Sequence, residues 1–190
     1  MMNIQSFFNG EVKTIEINTF PDKRGLFLQS FDDEIKQVID LEVKQENVSY
    51  SNKNVLRGLH YQFDEPMGKL VQCLNGSIID IVIDIRNNSN TLGQVEFFEL
   101  KNPNKLLWVP FGFAHGFYSK EEKTIIKYMC SCKYNKKGEG SINFADKTLK
   151  ILDKLDLKVD NLIISDKDRE AQSYENYLIN QDFNLFKGKK

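Results

Sequence analysis

Short segments of alternating apolar and polar residues recur along most of this chain, separated by turn-forming residues about every ten positions. Alternation with a period of two is the pattern of a β-strand with one buried face. The predicted strands span residues 11–20, 26–31, 43–51, 55–62, 69–74, 77–86, 94–100, 106–109 and 124–134. A series of short strands broken by turn signals predicts an all-β fold, either a sandwich or a barrel.

Three of these strands carry additional signals. Asn75–Gly76 joins two strands and is the strongest short hairpin signal in the chain. Strand 77–86 sorts into two faces, one with Ile79, Ile81, Ile83 and Ile85 and the other with Asp80, Asp84 and Arg86. In strand 124–134, alternation puts Tyr128 on a mostly apolar face with Ile126, Cys130 and Cys132.

Helical patterns are few and peripheral. Asp32 is a candidate N-cap for a short helix whose Ile35, Val38 and Ile39 share one face. From Ser165 the run S-D-K-D resembles a capping box, and residues 171, 174, 177 and 178 recur at helical spacing. The tail at 186–190 is expected to be frayed. No repeat or linker divides the sequence, so residues 1–190 are interpreted as a single domain.

Composition excludes several classes of protein. The net charge is −1, whereas nucleic-acid and anionic-membrane binders usually carry a basic excess. No stretch is apolar for 18 residues, and no signal peptide is evident, so we expect neither a membrane span nor export. The three cysteines include no C-x-x-C pair, which favours free thiols and a cytoplasmic location.

Residues 54–69, N-V-L-R-G-L-H-Y-Q-F-D-E-P-M-G-K, contain the most suggestive cluster. Arg57, His60 and Lys69 lie within it, and a turn at residues 66–68 would bring His60 near Lys69. That arrangement pairs a possible base with a possible electrophile. A structural role for His60 remains an alternative. A metal site is disfavoured, because the two histidines, His60 and His115, lack further ligands at suitable spacing.

Together these runs resemble the dTDP-4-dehydrorhamnose 3,5-epimerase family of nucleotide-sugar enzymes. The matching runs are F-P-D-K-R-G (20–25), V-L-R-G-L-H-Y-Q (55–62), G-K-L-V (68–71), D-I-V-I-D-I-R (80–86), L-W-V-P-F-G-F-A-H-G-F (107–117) and S-D-K-D (165–168). The resemblance implies a cupin-type jelly-roll β-sandwich with short helices at its periphery and C-terminus. It also implies a homodimer that exchanges strands and shares its active sites.

The resemblance assigns roles to individual positions. His60 would be the general base, Tyr128 the general acid, Lys69 the group beside the ketone oxygen, and Asp168 the partner that orients His60. The implied contacts to the nucleotide, diphosphate or sugar are Arg24, Gln29, Gln45, Asn47, Arg57, His115, Tyr134, Glu139 and Lys167.

The implied reaction inverts C3, C5 or both in a nucleotide-linked 4-keto sugar, for cell-surface polysaccharides such as capsule or lipopolysaccharide. Protons α to the ketone leave as an enolate, which a nearby ammonium stabilises. An imidazole can remove such a proton near neutral pH, so neither a cofactor nor a metal is expected. A 3,4-ketoisomerase and a non-catalytic carbohydrate-binding cupin are the alternatives. Gln29 stands where dTDP enzymes usually have glutamate, which leaves a GDP-linked 4-keto heptose open as substrate.

Overall fold

The computed structural model describes residues 2–185 and contains, in that range, thirteen β-strands and four short α-helices. The strands are β1 (Asn3–Phe7), β2 (Val12–Glu16), β3 (Thr19–Asp22), β4 (Gly25–Leu28), β5 (Gln45–Ser51), β6 (Leu56–Gln62), β7 (Lys69–Asn75), β8 (Ile78–Asp84), β9 (Val95–Leu100), β10 (Lys105–Val109), β11 (Phe113–Ser119), β12 (Thr124–Cys130) and β13 (Glu139–Ser141). The helices are α1 (Asp33–Ile39), α2 (Ile151–Lys154), α3 (Asp166–Arg169) and α4 (Tyr174–Ile179).

Two antiparallel sheets form the body of the fold. One has six strands in the order β1-β2-β10-β7-β12-β5, and the other has five in the order β13-β6-β11-β8-β9. Strands β3 and β4 form a separate two-stranded ribbon. The predicted all-β sandwich is therefore confirmed.

Apolar side chains fill three layers. The interior between the sheets combines Val71 and Ile126 of one sheet with Val82 and Phe117 of the other. The outer face of the six-stranded sheet packs under α1. The outer face of the five-stranded sheet packs under the segment from Ile142 to Phe183. Because the central strands β8 and β11 are covered on both faces, they lack a solvent-facing side.

Helix caps agree with the sequence. Oδ1 of Asp32 accepts from the N–H of Ile35, 2.9 Å away, at the start of α1. Oγ of Ser165 accepts from the N–H of Asp168, 3.2 Å away, at the start of α3. The predicted C-terminal helix is instead two helices, because Ser173 caps α4 as a new start. Across residues 2–185, each helix is too short and too polar to cross a membrane. The tail at 186–190 lies outside the described residues.

Several strand boundaries differ from the prediction. Segment 11–20 is two strands, β2 and β3, because the chain turns after Glu16 and leaves the six-stranded sheet. The strand predicted at 26–31 ends at Leu28, and the one predicted at 124–134 ends at Cys130. Cys132 therefore lies beyond the strand, where its thiol donates to the carbonyl of Glu65. Strands β1, β11 and β13 were not predicted.

The hairpin predicted at Asn75–Gly76 is wrong. β7 belongs to the six-stranded sheet and β8 to the five-stranded sheet, so the chain crosses the sandwich here. Gly76 has φ +81°, and a Cβ at this position would lie 2.4 Å from Oγ1 of Thr124. The turn residues correctly mark a change of direction, but turn chemistry is local and does not specify the partner strand.

The division of strand β8 into an apolar and a polar face also needs correction. Ile81 and Ile83 do pack under the C-terminal segment. However, Asp80 and Asp84 are completely buried, because their face lines the interior of the sandwich together with Val82. The structure therefore places two carboxylates inside the fold, and each must find a polar partner there.

Candidate active site

A cavity of about 260 Å³ opens between the two sheets, lined by β5, β7 and β12 of the six-stranded sheet and by β6 and β11 of the five-stranded sheet. Its lining combines cationic and titratable side chains with hydroxyl groups, aromatic rings and a thiol. The lining residues are Asn47, Ser49, Arg57, His60, Lys69, His115, Gly116, Phe117, Tyr128 and Cys130. Six residues that the sequence assigns to the site therefore meet in one cavity.

Strand alternation explains why Lys69 and Tyr128 face this cavity. Lys69 has the same parity as Val71, whose side chain lies in the interior layer. Tyr128 shares parity with Ile126 and Cys130, as predicted, and packs against the same layer. Lys69 pairs with Cys130 across adjacent strands β7 and β12, which places the ammonium and the phenol in one sheet.

Arg57 and His60 reach the cavity through an irregularity in β6. Residues three apart normally face opposite sides of a strand. The pairing between β11 and β6 shifts register here, so that His115 pairs with His60 but Phe117 pairs with Arg57. Gly58 lies at this shift with φ +119°, and a Cβ there would lie 2.5 Å from Cα of Gly116. A bulge of this kind re-aims side chains, and only glycine fits.

Asp168 orients the His60 ring through a hydrogen bond. Nε2 of His60 lies 2.6 Å from Oδ1 of Asp168, while Oδ2 accepts from the N–H of Gly58 at 3.2 Å. Burial opposes ionisation of Asp168, but the hydrogen bonds and charge of His60 outweigh it and hold the pKa of Asp168 below its ordinary value. With Nε2 directed at a carboxylate, Nδ1 is the nitrogen of His60 available to remove a proton.

Burial changes the protonation behaviour of the facing groups. It lowers the pKa of Lys69, although nearby negative charges, Asp80 among them, oppose this. It raises the pKa of Tyr128, which keeps the phenol protonated at neutral pH. The hydroxyl of Tyr128 is hydrogen-bonded to Oγ of Ser49, 3.2 Å away. A protonated phenol can donate a proton into the cavity.

His115 forms a second pair with a buried carboxylate. Its Nε2 lies 2.8 Å from Oδ2 of Asp80, and both side chains are almost completely buried. The His115 ring also makes an edge-to-face contact with Tyr128, with centroids 6.4 Å apart. The cavity is therefore bordered by two histidine–aspartate pairs, both on the five-stranded-sheet side.

A network of hydrogen-bonded polar side chains, here called the polar network, extends outward from the cavity. The amide of Gln45 donates to Oδ1 of Asn47 at 2.9 Å and accepts from the N–H of Tyr134 at 2.9 Å. The hydroxyl of Tyr134 and Nζ of Lys167 both donate to Oε2 of Glu139, at 2.7 and 2.5 Å. These hydrogen bonds lower the pKa of Glu139 despite its partial burial. Through Asn47, four further sequence-assigned positions (Gln45, Tyr134, Glu139 and Lys167) thus join the cavity as one network.

Arg24 and Gln29 lie elsewhere in this chain. Arg24 is at the exposed tip of the β3–β4 ribbon, where its guanidinium binds Asp22. Gln29 lies at a small separate depression beside Asp32 and Phe20. Neither residue lines the cavity that contains His60.

Within residues 2–185, histidine, cysteine and acidic side chains form no cluster of three or more that could hold a metal ion. Both histidines of the cavity instead direct Nε2 at a carboxylate.

The dTDP-4-dehydrorhamnose 3,5-epimerase family model matches residues 10–176, nearly the whole described chain. The chain belongs to this family. It is 40% identical over 158 residues to the dTDP-4-dehydrorhamnose 3,5-epimerase of Methanothermobacter thermautotrophicus, covering 82% of this chain and 85% of the relative.

Solved structures agree with this assignment. The dTDP-6-deoxy-D-glucose-3,5-epimerase of Legionella pneumophila, determined with dTDP-4-keto-L-rhamnose, has a TM-score of 0.84 and 36% identity, covering 91% of this chain and 93% of that one. A 3'-monoepimerase of Streptomyces bikiniensis, determined with dTDP-quinovose, has a TM-score of 0.81 and 27% identity, covering 90% and 87%. The family member described here is therefore a cupin-type jelly roll and an isomerase of the nucleotide-sugar epimerase class.

Sequence reasoning did not assign two side chains that form hydrogen bonds to groups of this site. Ser49 contacts the phenol of Tyr128, and Asp80 contacts His115. The signal for Asp80 was present in the run I-I-D-I-V-I-D, because a strand with apolar residues at nearly every position is buried on both faces. A charged residue in such a strand must lie in the interior and have a partner there. Ser49 gave no comparable signal.

Proposed function

We propose that this epimerase inverts C3, C5 or both of a dTDP-linked 4-keto-6-deoxyhexose, by removing a proton and returning another through an enolate. The observation that carries the proposal is the placement of His60 and Tyr128 on opposite sheets of the same cavity. A sugar ring between the sheets would present one face to each residue. Inversion requires this arrangement, because the new proton must arrive on the face opposite the one that lost it.

In each proposed step of the epimerisation, the protonation state or orientation of the reacting side chain suits its role. His60, oriented by Asp168, removes the proton α to the ketone through Nδ1. Lys69 lies in the same sheet as Tyr128 and stabilises the charge on the enolate oxygen, an electrostatic effect that often contributes most to catalysis. Tyr128, kept protonated by burial, then delivers its proton to the other face of the same carbon. A 3,4-ketoisomerase would not need a donor on that second face.

The polar network and two cavity residues are proposed to bind the diphosphate and the nucleoside of the substrate. Arg57 and His115 lie in the cavity and are suited to the diphosphate or the sugar. Gln45, Asn47, Glu139 and Lys167 offer donors and acceptors to the nucleoside, and the exposed ring of Tyr134 can stack on its base. Aromatic rings stack on bases at an energy of about 1–3 kcal/mol.

Gln29 supports a second candidate substrate, a GDP-linked 4-keto heptose. Glutamate only accepts hydrogen bonds, whereas glutamine both donates and accepts, so this position could favour another base. Calorimetry with dTDP and GDP compares the two directly. Tighter binding of dTDP supports the hexose, and tighter binding of GDP supports the heptose. Gln29→Glu is expected to shift the preference toward dTDP.

A homodimer would complete the site. The β3–β4 ribbon has no neighbouring strand among residues 2–185 beyond its own pair, and it exposes Phe20, Leu26 and Phe27 by 53, 51 and 65%. Exposed apolar clusters of this kind mark contact surfaces. We propose that the ribbon docks on a second copy and brings Arg24 and Gln29 to that copy's cavity. Mixing Arg24→Ala protein with His60→Asn protein should then restore activity above either variant alone.

NMR analysis of the product tests the proposed function. The protein is incubated with dTDP-4-keto-6-deoxyglucose and, separately, with a GDP-linked 4-keto heptose. Conversion of either sugar to its C3, C5 or double epimer supports the proposal and shows which carbons react. A sugar recovered with its ketone moved to C3 would establish the ketoisomerase instead. Binding of either nucleotide sugar without any conversion would favour a non-catalytic cupin.

A further inference from the structure

Asp80 is a completely buried carboxylate that the proposed reaction does not use directly. Its Oδ2 pairs with Nε2 of His115 at 2.8 Å. Its Oδ1 is also buried and has no hydrogen-bond partner among residues 2–185. A buried charge without compensation is strongly unfavourable, so an ionised carboxylate in this position needs nearby positive charge.

The positive charge near Asp80 belongs to the cavity. Burial raises the pKa of Asp80, and the hydrogen bond with His115 and the charge of Lys69 oppose that rise. In the other direction, the charge of Asp80 raises the pKa of Lys69 and of Tyr128. One buried carboxylate on β8 is thus coupled to three groups that line the cavity.

We propose that Asp80 is a positioning residue for the proposed epimerase: it fixes the His115 ring through Nε2, leaves Nδ1 for substrate, and supplies the negative charge that keeps Lys69 an ammonium. This inference rests on the proposed function of the same site. A neutral Lys69 could not stabilise an enolate, and an unfixed His115 could present either nitrogen to the substrate.

Other charged groups also act on Lys69 and have to be considered. Glu139 of β13 and the thiols Cys130 and Cys132 raise its pKa when they are ionised. Arg57, His60 and His115 line the same cavity from the five-stranded sheet. Of the carboxylates acting on Lys69, Asp80 is the completely buried one, whereas Glu139 is already bound by Lys167.

The arrangement of His115 can be tested without substrate. The chain has two histidines, so ¹⁵N NMR of the free protein resolves both rings. His115 is expected as the Nε2–H tautomer with Nε2 hydrogen-bonded. In Asp80→Asn the amide can accept or donate, so both tautomers of His115 should appear while His60 stays unchanged. Asp168→Asn is the matched control and should alter His60 alone.

Kinetics test the effect on Lys69. In Asp80→Asn the pKa of Lys69 loses an upward influence, so the alkaline loss of kcat should begin at lower pH. A shift of about one pH unit is expected, or about tenfold less activity on that limb. Glu96→Gln on the neighbouring strand β9 should keep the wild-type profile. If the role of Asp80 were purely structural, Asp80→Asn would yield less folded enzyme, but the alkaline limb of the kcat–pH profile would stay at the wild-type pH.

Several results would overturn the inference. In the wild-type protein, a Nδ1–H tautomer of His115 would contradict it, even if Asp80→Asn fails to fold. In the variant, an unchanged His115 spectrum or an unchanged alkaline limb would do the same. If no 4-keto sugar is converted by the wild-type enzyme, the proposed function fails, and the NMR measurement still decides whether Asp80 fixes His115.

Discussion

His60 and Asp168 are separated by 108 positions in the chain, yet Nε2 of His60 lies 2.6 Å from Oδ1 of Asp168. One comes from the bulged strand β6 and the other from the first turn of α3. The backbone N–H of Gly58 donates to the second oxygen of the same carboxylate. Gly58 therefore has two roles. The bulge at Gly58 turns His60 toward the cavity, and the N–H of Gly58 binds the Asp168 carboxylate that orients His60.

Replacing Asp168 with asparagine should impair catalysis more than binding. The amide no longer imposes the working tautomer of His60, and general-base assistance is worth about 10²–10⁴-fold. We expect kcat to fall by about 10²-fold or more with a small change in KM, measured by steady-state kinetics. Asp166→Asn, the same change at an exposed position of α3, should retain wild-type kcat. Equal kinetics in the two variants would remove Asp168 from its role.

Tyr128→Phe should separate proton removal from inversion. The variant keeps His60, so it should still exchange the α proton on one face, but it lacks the donor for the other face. Inversion is expected to slow by about 10²–10⁴-fold while exchange with retention continues. NMR in D2O measures both rates. The exposed Tyr50→Phe serves as the control, and a Tyr128→Phe enzyme that inverts at the wild-type rate would contradict the assignment.

Gly58→Ala should destabilise the fold strongly. The substitution combines a positive φ with a Cβ placed 2.5 Å from Cα of Gly116 and 2.9 Å from the carbonyl of His115. A loss of about 3 kcal/mol or more in the free energy of unfolding is expected from strain plus overlap. Gly10→Ala isolates the strain, because its φ is +97° and its Cβ would meet nothing within 4 Å. Urea denaturation should give about 1–2 kcal/mol for that control.

Asp84 should make stability depend on acid pH. This buried carboxylate accepts hydrogen bonds from Arg86, Ser89 and Thr91. Burial opposes ionisation, but these bonds hold its pKa below the ordinary value. The folded pKa is lower than the unfolded one, about 3.9, so the stabilisation is complete above that pH and is lost as pH falls through the folded pKa.

Urea denaturation between pH 3 and pH 7 tests this dependence. Asp84→Asn should cost about 3 kcal/mol at pH 7 because it leaves Arg86 without its buried partner, and the difference from wild type should shrink toward pH 3. The exposed Asp153→Asn should change stability by less than about 0.5 kcal/mol throughout. A difference between Asp84→Asn and wild type that is independent of pH would argue against an ionised Asp84.

The sequence predicted strands and their faces better than it predicted which strands are neighbours. The alternation of side chains along β12 correctly placed Tyr128 on the same face as Ile126 and Cys130, because alternation depends only on local strand geometry. Asn75–Gly76 suggested a hairpin, but the partner of β7 is chosen by long-range packing that no dipeptide encodes. His60 and Lys69 do share a cavity, although they meet across the sandwich rather than around a hairpin.

The site was predictable where a motif was local and was missed where it depended on tertiary contacts. Arg57 and His60 were identified together, but simple alternation would put them on opposite faces, and only the register shift at Gly58 joins them. Asp80 was interpreted as part of a polar face because the covering of β8 by the C-terminal segment is not visible in the strand itself.

Solvent deuterium exchange in His60→Asn tests the central claim most directly. The substrate is the 4-keto nucleotide sugar that the wild-type enzyme converts, and NMR in D2O follows C3 and C5. The account predicts that wild type incorporates deuterium at each inverted carbon and that His60→Asn loses this exchange by about 10²-fold or more, while calorimetry shows the same nucleotide affinity. Exchange at the wild-type rate in His60→Asn would contradict the account.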